Sequence, residues 1–191
     1  MPDLSDRELV EKAAAGDTQA FRVLVERHQS FVYAVAYRIV ASVADAEDIT
    51  QETFIRLWKN LKRYRPEIKV TTWLYKIVTN LCLDFLKSAH GKRTKHMDSV
   101  EHHTSVSSGG ASDQSVLDEE LRIAVEKIAN DLTPKQKAVF VLRDIEELST
   151  QEICDILSMS SGNVKSNLYY ARKRIGELLS VFYQIRKPVK P

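Results

Sequence analysis

Cysteine is nearly absent from the chain. Only Cys82 and Cys154 occur among the 191 residues, both inside helical patterns and far apart, so neither a disulfide framework nor a thiolate metal cluster is expected. Both read as core residues. No apolar run approaches the roughly 20 residues that a membrane-spanning helix needs, and the polar N-terminus lacks a signal-peptide core, so the chain is expected in the cytosol with no membrane insertion. His90, His96, His102 and His103 have no accompanying cysteine and no ordered acidic spacing, which argues against a metal site. Also missing are paired carboxylates beside a basic loop and a glycine motif able to cradle phosphate. An enzyme acting on nucleic acid therefore lacks its parts, and no cofactor is expected. There is no internal repeat.

What is present is charge, and it is partitioned. The formal net charge of +2 resolves into −3 over residues 1–61, +7 over 62–95, −3 over 96–116, −5 over 117–161 and +6 over 162–191. Two basic blocks, each flanked by acidic surface, imply two sites for a polyanion and other surfaces for a different partner. The length suits two small domains.

The pattern is helical throughout, so the expected fold is all-α: two small helical domains joined by a flexible linker, the second carrying a helix-turn-helix. Ser5 and Glu8 form a capping box for a first helix ending near Gly16, and Asp17 caps a second running to about Val40. A third is helical from about Ala44. On it Asp45, Asp48, Gln51, Glu52, Ile55 and Lys59 share one side, while Ala46, Thr50, Phe54, Leu57 and Leu61 share the other. Ile55 is the oddity, an apolar side chain among acids and amides, as a docking surface would have. A lone exposed isoleucine is also ordinary.

Residues 62–72 read as a basic loop broken by Pro66, with Thr71 or Thr72 available to cap the next helix. That helix buries Leu74, Val78, Leu81, Cys82 and Phe85 and turns Trp73, Lys76, Asn80 and Lys87 the other way. A tyrosine, a tryptophan, an amide and cations side by side suit unstacked bases: rings stack, the amide hydrogen-bonds, cations meet phosphate. Trp73 packing against the preceding helix, with solvated lysines, is the competing explanation.

Residues 89–116 shift to Ser, Gly, His and Asp and read as the linker, about 90 Å long if fully extended. A helix is expected at about 117–131. Thr133 and Pro134 then mark a cap and a first-turn proline, with Val139, Phe140, Leu142 and Ile145 as core candidates. Ser149 and Glu152 form a further capping box, Ser158-Met159-Ser160 a tight turn, and Ser160 caps a last helix whose Val164, Leu168, Ala171 and Ile175 face inward. Lys165, Ser166, Tyr169 and Lys173 project from the other side with Arg172 at its edge, where a helix in a major groove would meet bases and phosphates. An amphipathic hairpin with a solvated basic face has the same outline. A two-domain regulator, whose first part senses a ligand or dimerises, would also use such a helix to bind an operator.

Three blocks in this order, DAEDITQETFIRLWKNL, TTWLYKIVTNLCLDFLK and LTPKQKAVFVLRDIEELSTQEICDILSMSSGNVKSNLYYARKRI, resemble a bacterial RNA polymerase sigma factor of the sigma-70 family, extracytoplasmic-function group. The resemblance implies a domain over residues 1–88 that binds core RNA polymerase and the −10 element, a linker over 89–116 threading the RNA exit path, and a domain over 117–185 that reads the −35 element of promoter DNA. It puts Asp45, Asp48, Gln51, Glu52 and Ile55 on the polymerase. It puts Tyr64, Arg65, Lys69, Thr71, Trp73, Lys76 and Asn80 at flipped −10 bases, and Ser161, Asn163, Lys165, Ser166, Tyr169, Arg172 and Lys173 at the −35 duplex. An anti-sigma factor is a further implied partner. Asn167 and Tyr170 stand where relatives often have arginine, and Ser158 where glycine is common.

Overall fold

The computed structural model describes residues 4–95 and 131–185, with side chains at 4–88 and 131–180. The described residues contain helices and turns and no strand. The expected helix at about 117–131 and most of the expected linker lie outside them.

Four helices make the N-terminal body: α1 (Asp6–Ala14), α2 (Thr18–Val40), α3 (Val43–Asn60) and α4 (Val70–Lys95). The capping box holds, with the Glu8 amide donating to Ser5 Oγ at 3.3 Å and the Ser5 amide to Glu8 Oε2 at 2.8 Å. Gly16 takes φ 103°, a left-handed value open to glycine, and turns the chain into α2. Asp17 Oδ1 accepts from the amides of Gln19 and Ala20. The third helix begins at Val43, because Ser42 caps it through the Asp45 amide at 3.4 Å.

Leu24, Val32, Val35 and Ile39 of α2 meet Ala46, Phe54 and Leu57 of α3 and Leu74, Val78 and Cys82 of α4 in one core. Each fully buried Leu or Ile there contributes about 1.5–3 kcal/mol. Asp6 fastens α1 to α2, bonding Arg27 at 2.6 Å and lying 2.7 Å from His28 Nε2.

Two boundaries differ from expectation. Neither Thr71 nor Thr72 caps α4: buried Val70 is drawn into the core and begins the helix, so both threonines sit in its first turn, and the Trp73 amide bonds the Lys69 carbonyl at 3.2 Å. The helical backbone also continues past residue 88 to Lys95, into the stretch expected to be linker.

The C-terminal body contains α5 (Pro134–Phe140), a π turn (Val141–Ile145), α6 (Thr150–Leu157) and α7 (Ser161–Ile185). Thr133 and Gln136 form a reciprocal capping box with Pro134 at the first helical position. The π turn corrects the expected core. An α-helical register would bury Ile145, but the wider turn rotates it outward, where it is 43% exposed, and Phe140 is only half-buried. Val141 is buried instead, beside Val139 and Leu142. The turn closes through Glu146 N to Val141 O (2.9 Å) and Leu148 N to Leu142 O (3.0 Å), around a left-handed Glu147 at φ 56°.

The helix-turn-helix forms as its caps require. Ser149 and Glu152 cap α6, Ser158 is left-handed at φ 51°, and Ser160 Oγ accepts from the Asn163 amide at 3.3 Å. Val164 and Ala171 are buried. The two bodies touch: α4 packs on α5 and α6, Ala138 and Val141 join the N-terminal core, and Tyr75 packs against both clusters.

Candidate polymerase and promoter interfaces

Three exposed faces gather the residues singled out in the sequence. The first runs along α3. Asp48, Gln51 and Ile55 are exposed, Ile55 by 45%, while Asp45 and Glu52 are half-buried. Glu52 is bonded to Arg56 at 2.8 Å, whereas Asp48 and Gln51 have no hydrogen-bond or ionic partner among the described residues. The helical spacing of 3.6 residues per turn brings these side chains onto one stripe, since the core claims Ala46, Ile49, Thr53 and Leu57. Sequence reasoning missed Trp58, 39% exposed and one turn beyond Ile55, with its ring set edge-on to Phe21 at 4.7 Å between centroids. Beside Gln51 the stripe borders a shallow groove of about 390 Å³ lined by Gln29, Ser30, Tyr33, Glu47 and Thr50.

The second face joins the loop before α4 to the helix itself. Tyr64 and Trp73 stack with centroids 5.6 Å apart and planes 21° from parallel, and the Tyr64 hydroxyl donates to the Ile68 carbonyl at 2.9 Å. The loop is thereby folded onto the helix start. Both rings are half-buried, and burial pushes the Tyr64 phenol above its ordinary pKa. Arg65, Lys69, Lys76 and Asn80 are exposed and Thr71 is half-buried, while the charges that act on Tyr64 are Arg7, Asp6, Glu11 and Glu67. Trp73 thus has an aromatic partner from the loop.

The third face is on α7. Ser161, Asn163, Lys165, Ser166, Tyr169, Arg172 and Lys173 are all exposed, with Val164 and Ala171 buried behind them. Tyr169 and Tyr170 lie edge to face at 5.4 Å, 62% and 55% exposed. Arg172 is engaged: its Nε and Nη2 reach the Asp144 carboxylate at 2.8 and 2.6 Å, tying the helix to the π turn. Lys165 and Lys173 have no such partner among the described residues. The Asp144 contact was invisible in the sequence because it spans 28 positions and depends on the slipped register.

A polar contact also crosses between the bodies. The Glu146 carboxylate is 12% exposed and uses both oxygens, one on Arg38 of α2 and the other accepting from the Tyr75 hydroxyl at 2.8 Å. Burial first, and the adjoining carboxylate second, drive the Tyr75 pKa well up. The described residues include no group of three or more metal-ligating side chains and no helix long and apolar enough to cross a membrane.

Two known family models match the chain. Sigma-70 region 2 matches residues 24–92 and Sigma-70, region 4 matches residues 122–175, together more than half of the chain. The ECF RNA polymerase sigma-E factor of Escherichia coli K12 is 34% identical over 179 residues, covering 90% of this chain and 93% of that protein. The ECF RNA polymerase sigma factor SigW of Bacillus subtilis is 31% identical over 178 residues, 89% and 94% of the two chains. Among solved structures the fold is similar to CnrH bound to the cytosolic domain of CnrY, with a TM-score of 0.64 at 24% identity over 92% of this chain and 97% of that one. It is also similar to the sigma factor RpoE of Bartonella quintana bound to the anti-sigma factor NepR, with a TM-score of 0.60 at 19% identity over 84% and 97%. Sigma factors are initiation factors and not enzymes. Two matched regions in order and relatives aligned over nine-tenths of the length establish that the chain belongs to the sigma-70 family, in the extracytoplasmic-function group of RNA polymerase sigma factors.

Proposed function

We propose that this sigma factor docks on core RNA polymerase through Asp45, Asp48, Gln51, Glu52 and Ile55, reads the −35 duplex with the outer face of α7, and captures melted −10 non-template bases on the Tyr64/Trp73 stack. The division of labour follows residues 1–88 for polymerase and −10 DNA, 89–116 as tether, and 117–185 for −35 DNA. The observation that carries the reading is the aromatic stack at the start of α4, with exposed Arg65 and Lys69 in the loop that supplies Tyr64 and exposed Lys76 and Asn80 further along the helix. A π-face on the same loop and helix as exposed cations and an amide suits an extruded base and the phosphates beside it. Opening a duplex costs a few kcal/mol for each extruded base, and a protein without a nucleotide fuel offsets this only by binding the opened state better. One face therefore grips duplex while another holds single strand.

The polymerase face is supported by unpartnered acid and amide groups around an exposed isoleucine, an arrangement that favours a basic partner with an apolar centre. An anti-sigma factor belongs to this reading as a second protein partner. The test is reconstitution: purified protein added to core polymerase should start transcription at a defined promoter that core alone ignores. Tight operator binding without any effect on core polymerase would overturn the proposal.

A further inference from the structure

The two most exposed large apolar side chains among the described residues are neighbours in the chain, Tyr169 at 62% and Tyr170 at 55%. Their rings meet edge to face, with centroids 5.4 Å apart and planes at 75°, so each limits where the other can turn. Neither ring belongs to a hydrophobic cluster, and neither hydroxyl has a hydrogen-bond partner among the described residues. One exposed ring is ordinary surface. Two rings held against each other form an apolar patch, and such a patch marks a contact.

Helical spacing sets the pair astride the outer face of α7. Ser166 lies opposite buried Val164 and Ala171, and at about 100° per residue Tyr169 stands about 60° to one side of it and Tyr170 about 40° to the other. Lys165 and Lys173, exposed and without a partner among the described residues, stand one turn before the pair and one turn after it. On the Tyr170 flank the neighbouring polar groups are already engaged. The Asn167 amide turns back to the Asn163 carbonyl at 2.8 Å, and Arg174 is bonded to Asp131 and Glu177. The Tyr170 ring is therefore what projects there.

We propose that the Tyr169–Tyr170 pair reads the C5-methyl group of thymine in the −35 duplex, an apolar contact that adds to the polar ones of Lys165 and Ser166. The proposal rests on the promoter reading given above. Donors and acceptors line the major-groove edge of every base pair, and the thymine methyl is the one apolar substituent on it. Ring carbons neither donate nor accept, so they lose by covering a polar edge and gain by covering that methyl. Cations at both ends of the patch favour a polyanion beneath it.

The experiment removes the methyl from the DNA and the rings from the protein. Holoenzyme reconstituted with core polymerase selects its preferred −35 sequence from a randomised library. Each thymine of that sequence, on either strand, is then replaced by deoxyuridine, which deletes the methyl and keeps the base pair. Wild type should lose about fourfold in affinity at one or two of these positions. Tyr169→Ala and Tyr170→Ala should bind the thymine duplex more weakly and lose that discrimination, whereas Tyr170→Phe, with its ring intact, should keep it. Should an alanine variant lose helical content, Tyr170→Gln, which keeps length without the ring, takes its place. Equal wild-type affinity for thymine and deoxyuridine at every position overturns the proposal, and so does a selected sequence that contains no thymine. Methyl discrimination that survives in both alanine variants overturns it too, and weaker assembly of those variants with core polymerase would then make the rings a protein contact. A library that yields no −35 preference at all overturns the promoter reading itself.

Discussion

Arg172 on α7 is clasped by Asp144 from the π turn through two nitrogens of its guanidinium, so this cation orients α7 within its own body. Its neighbour Lys173 has no partner among the described residues. The two adjacent cations should therefore behave differently on DNA. Lys173→Ala should weaken binding nearly equally across −35 sequences and lower the salt slope by about one unit. Arg172→Ala should leave the slope nearer wild type, because its charge is already neutralised by Asp144. Titrating a −35 library at several salt concentrations checks this, and equal slope changes for the two variants would refute it.

Lys165→Ala should shift which −35 sequences are accepted, by about 1–3 kcal/mol at the contacted base. Lys165 sits in the second turn of α7 with Ser166 beside it, and both are exposed. A uniform loss of affinity with no change of preference would mean that the helix docks in another rotation.

Asn80→Ala and Lys76→Ala should spare the closed promoter complex and reduce strand opening, read as permanganate reactivity of unpaired thymines. A premelted template should restore part of the loss, since the unstacking cost is then already met. Equal defects on duplex and premelted templates would point to damage of the Tyr64/Trp73 stack.

Asp48→Lys combined with Glu52→Lys should abolish co-purification with core polymerase while circular dichroism stays helical. The only described bond lost is the exposed Glu52 to Arg56 pair, worth about 0.3–0.5 kcal/mol. Normal co-purification would remove these residues from the polymerase interface.

Burial pushes the Cys82 thiol up to about 12 from its ordinary value of 9.0. A raised pKa in the folded state means that the unfolded chain loses this proton first. Its contribution to stability is intact below pH 9 and declines at about 1.4 kcal/mol per pH unit between pH 9 and about 12. Denaturant titrations across that window should show a steeper alkaline loss for wild type than for Cys82→Ala.

Local signals carried most of the fold into the sequence. Capping boxes at Ser5 and Ser149 and the cap at Thr133 are short-range bonds between residues three apart, so they can be recognised without knowing what packs above them. The exposed faces were legible for a related reason, since helical spacing sorts Asp48 from Leu57 and Lys165 from Val164 once the helix is assigned. What escaped was decided by packing. Val70 starts α4 because the core draws it in, ahead of two threonines that looked like caps. Ile145 points outward because a π turn adds a residue that periodicity does not anticipate. Arg38, Tyr75 and Glu146 carried no sequence signal, because the meaning of each depends on a partner at least 71 positions away.

That π turn has a genetic consequence. Asp144 and Glu146 stand at its end and just beyond it, one fastened to α7 and the other to the N-terminal body. Substituting either acid disturbs one attachment. Losing a single codon within Val141–Ile145 would remove the one residue that the wider turn absorbs and restore an α-helical turn, so the elements on either side would keep their relative phase. Residue identity is therefore constrained here more tightly than length, and a variant that drops one residue but keeps both acids should survive where one that exchanges either acid loses an attachment.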